Sequence, residues 1–159
     1  MSNVVIVSGT PGTGKTKIAK IIAKKIKAKY IDINKLIKKN KLSSGYNKKL
    51  KTNLVKINKL IPVLVKIIKK RKGNLVIDSH LSHYIPSKYV NKCFVTTCDL
   101  KVLKKRLEKR GYNKAKIREN LNSEIFGVCM LDAFSNKHKV RIVDTTKGIK
   151  NLNVKKLLK

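Results

Sequence analysis

A glycine-rich loop near the start of the chain constrains its fold more than any other feature. Residues 9–16 read Gly-Thr-Pro-Gly-Thr-Gly-Lys-Thr and match the pattern G-x-x-x-x-G-K-[ST] of phosphate-binding loops. The apolar run Val4–Val7 before the loop is typical of a strand buried on both faces. After the loop, apolar residues recur at helical spacing from Ile18 to Ile26. This order of strand, glycine loop and helix predicts a site for a nucleoside triphosphate.

The residue types of the loop suit phosphate chemistry. Glycines such as Gly12 and Gly14 adopt backbone angles closed to other residues, and without a Cβ they let amides approach phosphate oxygens. Those N–H groups form a concave anion nest, and the helix N-terminus adds partial positive charge. We expect Lys15 to reach the β- and γ-phosphates of ATP and the Thr16 hydroxyl to ligate Mg²⁺. The alternative is a glycine-rich turn that matches by chance.

Length and composition set broad limits on the protein. A chain of 159 residues suits one domain, residues 1–159, and no apolar run is long enough to span a bilayer. Met1-Ser2-Asn3 leads directly into the first strand, which argues against a signal peptide. The three cysteines lack metal-type spacing and are typical of buried thiols in a reducing compartment: Cys93, Cys98 and Cys129. We therefore expect a cytoplasmic protein without a membrane partner.

The charge of the chain is unusual. Lys and Arg number 40 against 8 Asp and Glu, which gives a formal charge of +32. Such a field favours polyanions, RNA above all, with an affinity that falls steeply with salt. A general drift of the sequence towards Lys, Ile and Asn explains the charge equally well. Both interpretations stay open.

Strands and helices alternate along the chain. Strands are predicted at 75–78, 93–97 and 140–144, and a strand or short bridge at 29–33. Between and after them the spacing predicts a short helix ending near Asn40, a loop at 41–47, a long helix from Leu54 to Gly73 that Pro62 bends or interrupts, a helix closing at Arg110-Gly111, a helix over 114–136, and a short one around 152–158. This alternation predicts an α/β fold with a parallel sheet covered by helices on both faces, and a ligand beyond the carboxyl ends of the strands.

Asp78 is the best candidate for a second carboxylate at the site. It ends the apolar strand Leu75–Asp78, and such a position brings a carboxylate beside the Thr hydroxyl and Mg²⁺. The alternative is a strand-end Asp that caps a turn. His80, two residues on, could orient an attacking water, although a structural histidine held by a backbone carbonyl is nearly as good an interpretation. His83 and His138 have no constellation around them and are interpreted as surface residues.

Two arginines stand out in so lysine-rich a chain. Arg106 and Arg110 lie four residues apart on a predicted helix and therefore share one face. Two guanidinium groups on one face suit a transferring phosphoryl group, whose charge develops on equatorial oxygens. A solvated basic face is the alternative. Because Lys is the default cation here, we favour a functional role for Arg110, and less firmly for Arg106.

Taken together, these motifs resemble those of the adenylate kinase isoenzyme 6 family from end to end. The loop has the Thr-Pro filler of that family, and Gly45-Tyr46 is similar to a Gly-Tyr in its monophosphate-binding segment. Asp78-x-His80 resembles the family's second motif. The stretch Leu107–Asn113, followed by Asn120 and Glu124-Ile125-Phe126, resembles its short lid and the helix after it. The loop alone is shared by many families, whereas the combination is much more specific.

The resemblance implies a P-loop NTPase fold of the nucleoside monophosphate kinase type. It implies a mobile monophosphate-binding segment at about residues 32–55 and a short lid at about 109–119. It further implies transfer between ATP and an AMP-like acceptor, a slow ATPase, and a role in small ribosomal subunit maturation through a small-subunit ribosomal protein beside the rRNA. On the same basis, ATP phosphates are held by Gly12, Gly14, Lys15, Thr16 and Lys17, the lid acts through Arg110, and His80 supports hydrolysis.

One departure from the family pattern weakens the acceptor site. The family carries an acidic cluster before the long helix, whereas residues 51–59 of this chain contain no acidic residue. A second hypothesis is therefore an assembly factor that ATP switches between states, with little kinase turnover. A third, a shikimate-type small-molecule kinase, would require an Asp-rich acceptor pocket that the sequence lacks.

Overall fold

A five-stranded parallel sheet forms the centre of the molecule. The computed structural model describes residues 3–150 and 152–158, so Met1 and Ser2, where we predict no signal peptide, lie outside the described residues. The sheet has the order β2-β5-β1-β6-β7 and its strands are β1 (Val4–Gly9), β2 (Lys29–Asp32), β5 (Leu75–Asp78), β6 (Lys92–Thr97) and β7 (Val140–Asp144). The remaining strands pair with each other as an antiparallel hairpin: β3 (Ser43–Asn47) and β4 (Thr52–Val55).

Helices connect the strands and cover both faces of the sheet. They are α1 (Lys15–Lys25), α2 (Ile33–Lys39), α3 (Ile57–Lys70), α4 (Leu100–Lys109), α5 (Lys114–Ile125), α6 (Val128–Ser135) and α7 (Val154–Leu158). Alternating residues of β1 point to opposite layers, since side chains of a strand alternate in direction. Ile6 packs in the same cluster as side chains of α2, α3 and α6, whereas Val7 packs with α1 and α7. The predicted α/β fold is confirmed.

The register of the sheet brings the functional segments to one edge. β1 lies between β5 and β6 and is parallel to both, with Val7 opposite Asp78 and Gly9 opposite Thr96. The carboxyl ends of these three strands therefore meet at the glycine loop. In open parallel sheets this edge is where ligands bind.

The predictions for residues 41–58 are wrong in part. The predicted loop at 41–47 contains strand β3, and Leu54, the predicted start of the long helix, lies exposed on β4. The helix α3 begins at Ile57, runs through Pro62, and ends at Lys70 rather than at Gly73. Pro62 lies in the second turn of α3, where its missing N–H removes one helical hydrogen bond without ending the helix.

The predicted helix over 114–136 is also wrong in its extent, because two helices occupy this stretch. Gly127 separates α5 from α6 and has φ 58°, a left-handed conformation that ends a helix. The helix predicted to close at Arg110-Gly111 is confirmed, with Gly111 at φ 71°. Within the described ranges, no helix has both the length and the apolar character to cross a bilayer.

Candidate nucleotide-binding site

The glycine loop between β1 and α1 is closed by its own hydrogen bonds. The Thr10 carbonyl accepts from the Thr13 amide at 3.2 Å and from the Thr13 hydroxyl at 2.7 Å. Thr13 Oγ1 also lies 2.7 Å from Thr96 Oγ1, which ties the loop to the end of β6. Gly12 has φ 95° and sits against Leu103 of α4, so neither its backbone angle nor the space suits a side chain.

The Lys15 side chain reaches back to the start of the loop that contains it. Its Nζ donates to the Thr10 carbonyl at 3.0 Å. Burial lowers the pKa of the Lys15 ammonium to about 8, while the Asp78 carboxylate opposes that shift. The ammonium is therefore held at the loop by a carbonyl oxygen, and a phosphate oxygen can replace that carbonyl as its partner. Lys17, one residue beyond Thr16, is exposed on the first turn of α1.

Asp78 connects the end of the glycine loop with strand β2 through hydrogen bonds. Its Oδ2 accepts from the Thr16 hydroxyl at 2.6 Å and from the Tyr30 hydroxyl at 2.8 Å, and the side chain is only 4% exposed. Tyr30 comes from β2, which pairs with β5. Burial and the hydrogen bond to Asp78 raise the pKa of Tyr30, so it remains a donor. Thr16 and Asp78 offer the hydroxyl and carboxylate oxygens that Mg²⁺ prefers, and this pair fits the ion.

His80 lies partly buried just beyond Asp78. Burial, helped by the positive charge of Lys15, lowers the pKa of His80 to about 4. The imidazole is therefore neutral near pH 7 and can accept a proton or orient a water. His80 is two residues beyond the end of β5, so this strand positions both Asp78 and His80.

The interpretation of His83 and His138 as surface residues is wrong. His83 is 2% exposed, its Nδ1 lies 2.7 Å from the Ser8 hydroxyl, and its Nε2 lies 3.5 Å from Asp132 Oδ2. The buried His138 donates from Nε2 to the His83 carbonyl at 2.9 Å. Burial lowers the pKa of His83 to about 4 against the attraction of Asp132. The network connects α6 to Ser8, which lies just before the loop.

The two arginines of the α4 region have different surroundings. Arg106 donates to the Thr145 carbonyl at 2.7 Å and to the Thr145 hydroxyl at 3.1 Å, and it reaches the Gly12 carbonyl at 3.5 Å. Arg110 caps the end of α4, is exposed, and its charge helps to lower the pKa of Lys15. Arg106 is thus fixed beside the loop, whereas Arg110 is free to reach a ligand near Lys15.

The hairpin and the start of α5 contact each other. Asn113 Nδ2 donates to the Lys49 carbonyl at 3.0 Å, and Lys116 Nζ donates to the Lys51 carbonyl at 3.3 Å. These contacts link the segment predicted for the monophosphate, 32–55, with the predicted lid, 109–119. The two segments are therefore in contact with each other.

The fold and the loop define a P-loop NTPase of the nucleoside monophosphate kinase type. The family model described as "AAA domain" matches residues 5–127. Two solved structures share the fold alone: a "putative kinase" from Chloroflexus aurantiacus, with a TM-score of 0.57, 14% identity and coverage of 99% of this chain and 95% of that one, and a protein from Eubacterium ventriosum, with a TM-score of 0.61, 12% identity and coverage of 99% and 96%.

Sequence comparison identifies the family. The chain is 34% identical to the "Putative adenylate kinase" of Methanocaldococcus jannaschii over 142 residues, which cover 89% of this chain and 76% of that protein. It is 34% identical to the "Adenylate kinase isoenzyme 6 homolog" of Dictyostelium discoideum over 139 residues, 87% of this chain and 78% of that one. The chain belongs to the adenylate kinase isoenzyme 6 family, as its motifs predict.

Sequence reasoning missed Tyr30 and the contact of Arg106 with Thr145. Tyr30 carried no motif, and its partner Asp78 lies 48 residues away. The strand prediction at 29–33 offered the one available signal, because a strand parallel to 75–78 places its polar residues near the same sheet edge.

Proposed function

We propose that the protein is a nucleoside monophosphate kinase that transfers a phosphoryl group between ATP and AMP and also hydrolyses ATP slowly. The observation that carries this proposal is the 2.6 Å hydrogen bond between the Thr16 hydroxyl and Asp78, next to the glycine loop and Lys15. The family relationship supports a nucleoside monophosphate kinase or an ATPase.

The residues of the loop would hold ATP and Mg²⁺. Phosphate oxygens are assigned to the amides of Gly12 and Gly14 and to the side chains of Lys15, Thr16 and Lys17. Thr16 and Asp78 would ligate Mg²⁺, which neutralises charge on the β- and γ-phosphates when bound. The neutral imidazole of His80 suits it to orient a water for hydrolysis.

Transfer itself requires position and charge more than a covalent nucleophile. An oxygen of the AMP phosphate attacks the γ-phosphorus in line, the bond to the bridging oxygen breaks, and ADP forms on both sides. Lys15 and Arg110 stabilise the charge on the transferring group. We assign the acceptor to the segment 32–55 and the closing element to 109–119, and hydrogen bonds between the two segments support their placement at one site.

Lys15→Ala tests the site assignment. We expect the loss of both kinase and ATPase activity, because the Lys15 ammonium is the cation that the loop itself supplies to the β- and γ-phosphates. Lys24→Ala is the matched control, since Lys24 is an exposed cation at the far end of the same helix. A Lys15→Ala protein that keeps most of its ATPase would exclude the assignment.

A second candidate function is an ATP-switched factor in small ribosomal subunit and rRNA maturation, in the cytoplasm, with a small-subunit ribosomal protein as partner. Two observations favour it: the absence of acidic residues at 51–59, which weakens the acceptor site, and the +32 charge. A pull-down from ribosomal subunits tests it. Retention that changes between ATP and ADP supports the switch, whereas retention indifferent to the nucleotide contradicts it.

A further inference from the structure

One long stretch of this basic chain contains no cationic residue. Residues 119–136 contain no Lys or Arg, and no other run in the chain is as long without one. The next longest runs, 73–87 and 1–14, contain the buried strands β5 and β1. In contrast, 119–136 covers most of α5 and all of α6, whose outer faces reach the surface. A general drift of the sequence towards lysine therefore does not extend to this exposed stretch.

That surface is apolar. Phe126 is 69% exposed, Ile125 56% and Leu131 55%, and Phe134 is exposed one turn beyond Leu131. Scattered single apolar residues are ordinary on a protein surface, but a contiguous group marks an interaction site. Ile125, Phe126 and Leu131 line one cleft, so these three side chains form a patch, and Phe134 lies one turn further along α6.

A cleft of about 430 Å³ opens beside the patch. Leu100 of α4 faces Ile125, Phe126 and Leu131 across it, and its floor is formed by the end of β6 and by Thr10. β6 lies on the opposite side of β1 from β5, which carries Asp78. The cleft is thus adjacent to the glycine loop but separate from the Thr16–Asp78 pair. We refer to this cleft, with its apolar lining residues Leu100, Ile125, Phe126 and Leu131, as the α5–α6 groove.

The charged side chains in the groove are acidic. Asp99 and Glu124 both line it. Glu124 Oε1 accepts from the Cys98 amide at 2.9 Å, which fixes the carboxylate at the wall. Among the described residues, the charged side chains that line the cleft are these two carboxylates, whereas Lys15 contacts the Thr10 carbonyl without lining the cleft itself. The charged part of the lining is therefore acidic, whereas the chain as a whole is basic.

We propose that the α5–α6 groove docks a basic polypeptide segment that carries large apolar side chains. The apolar lining supplies the buried area, and Asp99 and Glu124 pair with Lys or Arg of the partner. A nucleic acid is a poor occupant, because its phosphates meet two carboxylates. A second copy of this chain would bring one acidic groove against another in a symmetric dimer. The proposal rests on the proposed partner function and names the surface and the chemistry of that partner.

The groove also gives an occupant access to the nucleotide site. Thr10 contributes to its floor, and the Thr10 carbonyl holds Lys15 Nζ at 3.0 Å. A segment bound here lies against the loop that is proposed to bind ATP. Docking and ATP binding can therefore influence each other without sharing a pocket.

The test uses the full chain and a fluorescent synthetic peptide of alternating Lys and Leu. Two further peptides replace every Leu by Ser or every Lys by Glu. Binding is followed by anisotropy at 150 mM salt, for the unaltered protein and for Phe126→Ser, with Leu131→Ser as a second variant should the first fail to fold. Ile142→Ser is the matched control, because Ile142 is 53% exposed on β7, outside the groove.

We expect the Lys/Leu peptide to bind and both groove variants to weaken it at least ten-fold, with no change for Ile142→Ser and little binding of the other two peptides. Equal affinities for Phe126→Ser and Ile142→Ser would overturn the proposal. The proposal would also be overturned if ATP competed with the peptide for one pocket. Binding of poly(U) RNA that Phe126→Ser weakens would identify a nucleic acid as the occupant instead. A dimer in light scattering that Phe126→Ser dissociates would identify a second copy of the chain. Peptide binding and ATP turnover are also measured in the same samples of Lys15→Ala. We expect this variant to bind the peptide although it does not turn over ATP, so failure of the docking proposal can be distinguished from failure of the proposed enzyme activity.

Discussion

Replacing Gly9 by alanine tests how tightly the glycine loop is built into the sheet. Gly9 has φ +136°, a conformation that L side chains rarely adopt, and it pairs with Thr96 of β6. A Cβ here would lie 2.4 Å from Thr96 Oγ1 and 2.5 Å from the Thr96 carbonyl oxygen. Because the second of these is a backbone atom, β1 and β6 have to move apart at the loop.

Three contributions set the size of the effect. The backbone conformation costs about 1–3 kcal/mol for a residue with a Cβ. Overpacking against Thr96 adds about 1–3 kcal/mol. Loss of the hydroxyl hydrogen bond between Thr13 and Thr96 adds about 0.5–1.5 kcal/mol. The sum is about 2.5–7.5 kcal/mol, a large part of the stability of a typical domain, which is about 5–15 kcal/mol.

Urea unfolding followed by circular dichroism measures this loss. Gly148→Ala is the control, since Gly148 also has a positive φ, +84°, but a Cβ at this residue would meet nothing within 4 Å. That variant should lose only the backbone contribution, about 1–3 kcal/mol. Equal losses in the two variants would refute the argument from close approach at Thr96.

Four further predictions concern charge and the acceptor. The kcat/KM for ATP should fall as the pH rises through about 8, because Lys15 loses its proton there. The same pH–rate profile should show no change near pH 6.5, because His80, with a pKa of about 4, is already neutral at that pH. His83 has a folded pKa of about 4, below its ordinary value of 6.5, so the unfolded chain binds more protons between these values and up to about 3 kcal/mol of stability should be lost as the pH falls from 6.5 to 4. Because the pKa of His80 is also about 4, His83→Gln should remove only the His83 part of the pH dependence measured by urea unfolding. Arg110→Ala should lower kcat at least about ten-fold with an unchanged melting temperature, because the side chain is exposed; a matching loss of stability would assign it a structural role. Tyr46→Ala, on the exposed hairpin, should raise the KM for AMP several-fold and leave AMP-independent ATPase intact; equal loss of both rates would contradict the assignment of the acceptor segment.

The core of the fold was predictable because its signals are local. Val4–Val7 and Leu75–Asp78 are continuous apolar runs, and both are strands buried along their length. The loop pattern between a strand and a helix indicated the sheet edge where Thr16 and Asp78 meet. For these elements, local pattern and tertiary burial favour the same structure.

Elements at the surface were not predictable in the same way. The hairpin strand Ser43–Asn47 is exposed almost throughout, so it shows no alternation of apolar and polar residues. Leu54 fitted the helical spacing of α3 although it belongs to β4. A single glycine inside a helical pattern is often tolerated, and only the left-handed angle at Gly127 shows that two helices meet there.

The buried histidine network was hidden for a different reason. His83 bonds Ser8, 75 residues earlier in the chain, and contacts Asp132 on α6. His138 bonds the backbone of His83 across 55 residues. Nothing in the local sequence of a histidine distinguishes a buried hydrogen-bonded ring from an exposed one, since its partners come from distant elements.

ADP formation from Mg·ATP, measured with and without AMP at several salt concentrations, tests the central claim most directly. Alongside the unaltered protein, Lys15→Ala serves as the blank. If the protein is a nucleoside monophosphate kinase, AMP stimulates the reaction strongly and two ADP form for each ATP consumed, while Lys15→Ala stays inactive. A slow turnover that is indifferent to AMP, with one ADP for each ATP, would contradict kinase activity and leave the ATP-switched factor as the better account.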